Sequence, residues 1–350
     1  MNPVPVLTFV NTKAGVGKTS LVFHLAWMLS RVGHRVLTCD LNPQANLTAS
    51  FLDEASLEEL WHPETPAADA CRTVFQSIRP LMEALDLRPP APKRIAAGLF
   101  LIPGDLSLAG FEDTLSDQWP KEQSSMGLCR SLRMQTGFHR LVQLGAAHVE
   151  ASVILMDVGP NLGTINRSAL IASDHVIVPL GADLASFRSL GSLGSILNRW
   201  REDWKRRKAY WNDNRPDPTP ANELTLPGGN MHPLGYVVQK PGYSLGRPIQ
   251  PRDRWFNRIP AEFDRQLTGR RTGNQPATPA NDEHCLAVMK HYRSLVPTAQ
   301  ELHKPMFDLT PADGAVGSHA VAARDAERSF RELAMRISEA AKLVPVTSRP

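Results

Sequence analysis

Residues 4–29 constrain the fold of this chain more than any others. Val4-Pro5-Val6-Leu7-Thr8-Phe9-Val10 is a short apolar run that predicts a buried strand, and Leu21 to Leu29 carries the apolar density of a helix. Between them stands Asn11-Thr12-Lys13-Ala14-Gly15-Val16-Gly17-Lys18-Thr19-Ser20. Strand, glycine loop and helix in that order form a phosphate cradle. The glycines let backbone N–H groups turn around an anion, and a helix beginning near Lys18 aims its positive end at the same point. Lys18 is then expected to reach the β- and γ-phosphates of a nucleotide, and the Thr19 hydroxyl to ligate Mg²⁺.

A strict Walker loop has glycine five residues before Gly17, where this chain has Thr12, and a second lysine, Lys13, stands near the loop's start. The stretch resembles the deviant Walker loop of the ParA/MinD family of ATPases, usually Lys-Gly-Gly-x-Gly-Lys-Thr, with Ala14 in place of the first glycine. The resemblance implies ATP and Mg²⁺ as cofactors and Ala14, Gly15, Val16, Gly17, Lys18, Thr19 and Ser20 around the phosphates. It also implies that two ATP-loaded subunits close face to face, Lys13 of each reaching the phosphates of the other as a cation supplied in trans.

Two carboxylates belong to the same reading. Arg35 to Asp40 is a second short strand ending in an acid, and Asp40-Leu41-Asn42-Pro43-Gln44-Ala45-Asn46 resembles the family's Asp-x-Asp-Pro-Gln-[Gly/Ala]-Asn, with Asn42 in place of the second aspartate. The resemblance gives Asp40 the role of positioning the attacking water close to Mg²⁺. Ser152-Val153-Ile154-Leu155-Met156-Asp157 has the Walker B arrangement, in which a strand buried on both faces delivers one carboxylate to the metal. The run from Asp157 to Leu170 resembles the family's Asp-x-Pro-Pro segment and following helix, Gly159 replacing the first proline. That change is expected to loosen the loop. Leu99 to Pro103 and His175 to Leu180 read as further strands, both with proline where the family has it. Val237-Val238-Gln239-Lys240 resembles the strand whose following residues frame the adenine, with Gln239 in place of asparagine.

At 350 residues and 42% hydrophobic content the chain can bury a sizeable core. Cys39, Cys71, Cys129 and Cys285 are widely spaced and form no C-x-x-C pair, which disfavours a zinc knuckle or disulfide framework and fits a reducing cytoplasm. The N-terminus enters a strand without a basic leader, and no apolar run approaches the roughly 18 residues of a membrane span. Residues 53–98 read as a helical insertion and linker, with helical spacing at Val74, Ile78, Leu81, Met82 and Leu85. Leu132, Leu141, Val142 and Leu144 are expected on a buried helix side, with Arg130, Arg133 and Arg140 as a solvated face. His175 begins a strand and is read as structural.

The net charge of +4 decides little by itself, so clustering matters. From Leu190 a strong helical pattern places Leu193, Leu197, Trp200, Trp204 and Trp211 on one stripe. Arg199, Lys205, Arg206 and Lys208 stand among the residues around it. A second basic stretch holds Arg252, Arg254, Arg270 and Arg271, and the two regions together carry a larger positive excess than the whole chain. Such surfaces can neutralise duplex phosphates without reading sequence. His319 to Leu343 is amphipathic, but its polar face mixes both signs, so a helix packed on the sheet is expected rather than a membrane anchor.

The sequence therefore predicts an α/β fold, doubly wound with a mostly parallel sheet, as one P-loop ATPase domain over residues 1–350 with a basic, loop-rich segment about 199–282. The family resemblance implies a cytoplasmic, nucleoid-associated switch ATPase that dimerises with ATP and binds double-stranded DNA non-specifically. It also implies a ParB-like protein that stimulates hydrolysis and a role in plasmid or chromosome partition or cargo positioning, while the mixed-charge face of the last helix predicts no membrane partner. A MinD-like membrane- or protein-cargo-positioning ATPase without DNA binding is the alternative.

Overall fold

Strands buried on both faces need a helical layer on each side, and the chain supplies them by alternation. The structure, a computed structural model, describes residues 3–62, 71–119, 125–215, 224–239, 254–269, 278–290 and 295–346, with Tyr292 and the pairs 243–244 and 247–248. In chain order the elements are β1 (Val6–Phe9), α1 (Lys18–Arg31), β2 (Val36–Asp40), α2 (Asn46–Phe51), α3 (Glu54–Trp61), α4 (Val74–Met82), β3 (Lys93–Ala96), β4 (Leu99–Ile102), α5 (Ala109–Gln118), α6 (Ser125–Gln135), α7 (Gly137–His148) and β5 (Val153–Asp157). There follow α8 (Thr164–Ile171), β6 (His175–Leu180), α9 (Leu184–Asn214), β7 (His232–Gln239), the short pair β8 (Tyr243–Ser244) and β9 (Arg247–Pro248), α10 (Ile259–Phe263), β10 (Cys285–Met289), α11 (Val296–Glu301) and α12 (Ser318–Ala340).

Eight strands form one sheet in the order β10-β7-β6-β1-β5-β2-β4-β3, parallel throughout except for the β3–β4 pair. Along each strand alternate residues enter two separate cores. Val6, Leu37, Ile154, Met156, Val176 and Tyr236 pack beneath α4 to α9. Leu7, Phe9, Leu99, Leu155, Ile177 and Val237 pack beneath α1, α2 and α12. This is the doubly wound architecture expected from the sequence. Strand order reverses on either side of β1 and β5, and in such sheets the crevice at the carboxyl ends of those strands is the ligand site.

The helical readings hold in most places. Trp200, Trp204 and Trp211 of α9 are buried, and so are Ala326, Phe330, Leu333, Ala334 and Ile337 of α12, which lies against α1 and β10. Two leucines differ. Leu85 is 59% exposed because α4 ends at Met82 and Ala84 turns left-handed at φ 60°, so the helical spacing outruns the helix. Leu144 is 42% exposed, since α7 buries Leu141, Val142 and Gly145 and residue 144 lies about 100° round from its neighbour. Arg140 is not simply solvated but pairs with Asp86 at 2.6 Å. The segment read as helical insertion also contributes β3, an exposed edge strand whose Lys93 and Arg94 suit a sheet margin.

Candidate functional site

The glycine loop joins β1 to α1 as read from the sequence. Gly15 and Gly17 are left-handed, at φ 74° and 75°, and Gly17 stands directly before the first turn of α1, with Leu21 N donating to Gly17 O at 2.8 Å. An L side chain is strained at both positions. Ala14 is not among the residues with positive φ, so the position where the family motif has glycine makes no left-handed demand here. The loop borders a cavity of about 590 Å³ whose wall also includes Asn42, Gln44, Asn46 and Pro160.

Beneath the loop, β2 and β5 end side by side, and Asp40 is the register partner of Asp157. Both acids are 0% exposed. Thr19 Oγ1 donates to Asp157 Oδ2 at 2.7 Å, and Lys18 Nζ donates to the carbonyl of Val158. Asp40 is held by three donors: Asn42 N to Oδ1 at 3.1 Å, and Thr48 N and Oγ1 to Oδ2, each at 2.8 Å. Burial, and then the Asp157 charge, push the Asp40 carboxyl well above the usual carboxylate range. Burial also raises Asp157 against the lowering influence of Lys18 and Thr19, and it lowers the Lys18 ammonium.

Asp157 Oδ1 is buried and accepts no hydrogen bond. A buried carboxylate oxygen without a partner is costly. Two neighbouring buried carboxylates and a threonine hydroxyl present the hard oxygen donors that suit Mg²⁺, which takes one or two carboxylates and completes its shell with water and phosphate oxygens. Asp157, Asp40 and Thr19 therefore fit that ion.

Lys13 borders the same cavity but is paired with an acid outside this centre. Its Nζ lies 2.5 Å from Asp183 Oδ2, the residue that caps α9 by accepting from Ser186 N. The loop after β5 is fixed from two sides that sequence reading did not identify. Asn166 Nδ2 donates to the carbonyls of Gly159 and Asn161 at 2.8 and 2.7 Å, while the Glu112 carboxylate accepts from Thr164 N, Thr164 Oγ1 and Ile165 N. The loosening expected from Gly159 is thus offset by side chains on α5 and α8. Asn42, in the place of the family's second aspartate, accepts from Gln44 N at 3.2 Å and shapes its own turn.

Gln239, at the end of β7, comes to the loop, its Nε2 donating to Val16 O at 3.4 Å. It lines a second cavity of about 340 Å³ with Pro179, Val237, Met289, Tyr292 and Phe330, a largely apolar wall beside the phosphate loop. The basic residues fare unevenly. Arg199 and Lys205 are exposed on α9, and Arg206 pairs with Asp203. Lys208 is half-buried and donates to Gly228 O at 3.3 Å. Arg254 is exposed, with its guanidinium 5.6 Å from the Trp255 ring. Arg252, Arg270 and Arg271 lie outside the described residues.

Residues 4–208, more than half of the chain, match the family model described as an AAA domain, AAA_31. The chain belongs to this family, and with it to the ParA-type P-loop ATPases. It is similar to the chromosome partitioning protein ParA of Caulobacter vibrioides, with 28% identity over 200 residues, 57% of this chain and 64% of that protein. Similarity to the probable plasmid-partitioning protein ParA of Thermus thermophilus is 30% over 200 residues, 56% of this chain and 51% of that one. The match thus spans about half to two thirds of these relatives' length. Among solved structures, a Corynebacterium diphtheriae protein superimposes with TM-score 0.67 at 22% identity, over 96% of this chain and 98% of that one. A Cyanothece McdA–ATP complex does so with TM-score 0.58 at 16% identity, over 99% and 100%. At those identities the likeness is one of fold.

Proposed function

We propose that this chain is an ATP-driven partition or positioning switch. Loaded with ATP and Mg²⁺ it closes as a homodimer, binds duplex DNA without sequence preference through exposed basic residues, and lets go when a ParB-like partner stimulates slow hydrolysis. Plasmid, chromosome or other cargo on the nucleoid is what such a cycle moves. The observation that carries the reading is the convergence of Lys18, Thr19, Asp40 and Asp157 at the carboxyl edge of β1, β2 and β5, under a loop with two left-handed glycines. Similarity to the partitioning proteins of Caulobacter and Thermus supports the partition role.

In this reading the loop and Lys18 hold the β- and γ-phosphates, and the apolar cavity beside Gln239 receives the adenine. Thr19 and Asp157 would hold Mg²⁺ with Asp40 close beside it, and the ion would supply charge neutralisation on the phosphates. Asp40 Oδ2 is spoken for by Thr48, so Oδ1, with only the long bond from Asn42 N, is the atom that orients the attacking water and receives its proton. Lys13 leaves Asp183 and enters the partner subunit's site, where a cation stabilises charge developing on the transferred group.

Turnover of ATP with Mg²⁺ tests the chemistry. Asp40→Asn keeps the bond from Asn42 N but cannot take a proton, and it is expected to lower the rate about 10²-fold or more with nucleotide affinity little changed. Lys18→Ala should lose nucleotide binding itself. Wild-type turnover by Asp40→Asn would overturn the assignment.

A further inference from the structure

Thr48, the third residue of α2, is fully buried, and two neighbours leave its hydroxyl a single orientation. Gly104 N, in the turn after β4, lies 2.7 Å from Thr48 Oγ1, and Asp40 Oδ2 lies 2.8 Å from the same atom. An N–H can only donate, an ionised carboxylate can only accept, and the hydroxyl carries one proton. The Gly104 N–H therefore takes a lone pair of the hydroxyl, whose proton goes to Asp40. The turn that supplies this N–H is itself pinned. Trp61 Nε1 of α3 donates to Gly104 O at 3.2 Å, Val74 N to Pro103 O at 2.9 Å, and Thr73 Oγ1 to Asp105 Oδ2 at 2.7 Å. Residue 104 has little room for a side chain, since a Cβ there would stand 3.0 Å from Asp40 Cγ and 3.1 Å from its Oδ2. Thr48 N adds a second bond to that oxygen at 2.8 Å, in a helix whose opening residue, Ala45, is left-handed at φ 51° and offers no side-chain cap. The same helix presents Asn46, Ala49 and Ser50 to the cavity at the phosphate loop.

We propose that Thr48 is a positioning residue for ATP hydrolysis. With its orientation set by the Gly104 N–H, it engages Asp40 Oδ2 and fixes the plane of the carboxylate, so that Oδ1 is kept for the attacking water. The inference rests on the role proposed above for Asp40. Hydrogen bonds to a charged acceptor are stronger than neutral ones, and a reacting group displaced from its line of attack loses rate steeply. Thr48 does not line the cavity at the phosphate loop, so loss of its hydroxyl falls on the chemical step and not on nucleotide binding.

Two measurements on the full chain test this. In ATP turnover with Mg²⁺, Thr48→Val, which keeps the shape and removes the hydroxyl, should lower kcat about tenfold with KM within about twofold. Thr48→Ser, which restores the hydroxyl, should return kcat to within about twofold of wild type. Urea unfolding without nucleotide or Mg²⁺ gives a readout independent of turnover. Thr48→Val should lower the midpoint in the wild-type chain, and lower it by a smaller amount in Asp40→Ala, where the acceptor is gone. Undiminished kcat in Thr48→Val, a kcat that Thr48→Ser does not restore, a loss of nucleotide affinity in step with turnover, or equal midpoint shifts in the two backgrounds would each overturn the proposal. A wild type that turns over no ATP would instead count against the proposed function, and the unfolding comparison then decides the pairing of Thr48 with Asp40 by itself.

Discussion

Lys13 Nζ lies 2.5 Å from Asp183 Oδ2, so the second lysine of the loop is tied to the cap of α9 in its own subunit. A lysine held there cannot also serve a neighbouring subunit. Release of this pair is therefore part of the switch proposed above.

Asp183→Asn separates the ion pair from the cap, because an asparagine oxygen still accepts from Ser186 N. Both partners are about a third exposed, 32% and 37%, so solvent screening leaves the pair worth less than about 1 kcal/mol. The midpoint of thermal unfolding should fall by no more than about 2 °C, while ATP-dependent dimerisation sets in at lower protein concentration. Sedimentation velocity with ATP reads the second effect. Asp183→Ala, which also loses the cap, should cost about 1 kcal/mol more.

The buried acids give a pH dependence of definite sign. Asp40 and Asp157 have proton affinities raised by folding, so the folded chain binds protons more tightly than the unfolded one. Their contribution to stability is full below the unfolded carboxylate range and is lost as pH rises through the raised folded values. Without nucleotide and Mg²⁺, the part of the stability that these acids supply, read as the difference between wild type and Asp157→Asn, should therefore fall as pH rises from about 4 toward neutrality. Asp157→Asn should remove that fall and raise the denaturant midpoint near neutral pH relative to wild type. Urea unfolding at a series of pH values checks it.

His24 acts in the opposite direction. It is 2% exposed, its ring lies 5.0 Å from that of Phe330, and its Nε2 accepts from Met306 N at 3.1 Å. Burial lowers its pKa to about 4. The neutral ring thus favours folding above the ordinary histidine value, and that contribution disappears as pH falls from about 6.5 through 4, a loss of about 3 kcal/mol. In a histidine NMR titration the His24 resonance should stay unprotonated at pH 5.5.

Gly17→Ala should weaken nucleotide binding by about fivefold or more. At φ 75° an alanine is strained, and its Cβ would stand 3.0 Å from Gln239 Nε2. Strain of about 1 kcal/mol and displacement of Gln239 both fall on the loop. Ala14→Gly, where no left-handed residue is required, should leave affinity within about twofold. Calorimetric titration with ATP compares the two.

The loop, Asp40 and Asp157 were legible in the sequence because their chemistry and their context are local: an apolar strand, then the residue it delivers. Fold class followed from the same alternation. What was not legible depends on pairings across long stretches of chain. Asp183 lies 170 residues from Lys13, and Glu112 meets the first turn of α8 from 52 residues upstream. Nothing local marks either carboxylate as more than a surface acid. Asn166 was visible within a family-like segment, but its two bonds to the loop carbonyls depend on how α8 returns over β5. β3 escaped notice because an edge strand with Lys93 and Arg94 lacks the apolar run that marks the buried strands.

Nucleotide-gated DNA binding is the central claim, and one experiment meets it directly: binding of random-sequence duplex DNA at about 50 and 200 mM salt, with ATP, with ADP and with neither, by wild type, Lys13→Ala and Lys18→Ala. The account predicts binding only with ATP, weakened at least about tenfold by the higher salt, and lost in both variants. Failure to bind DNA at low salt with ATP, in a protein shown to hold the nucleotide, would contradict it.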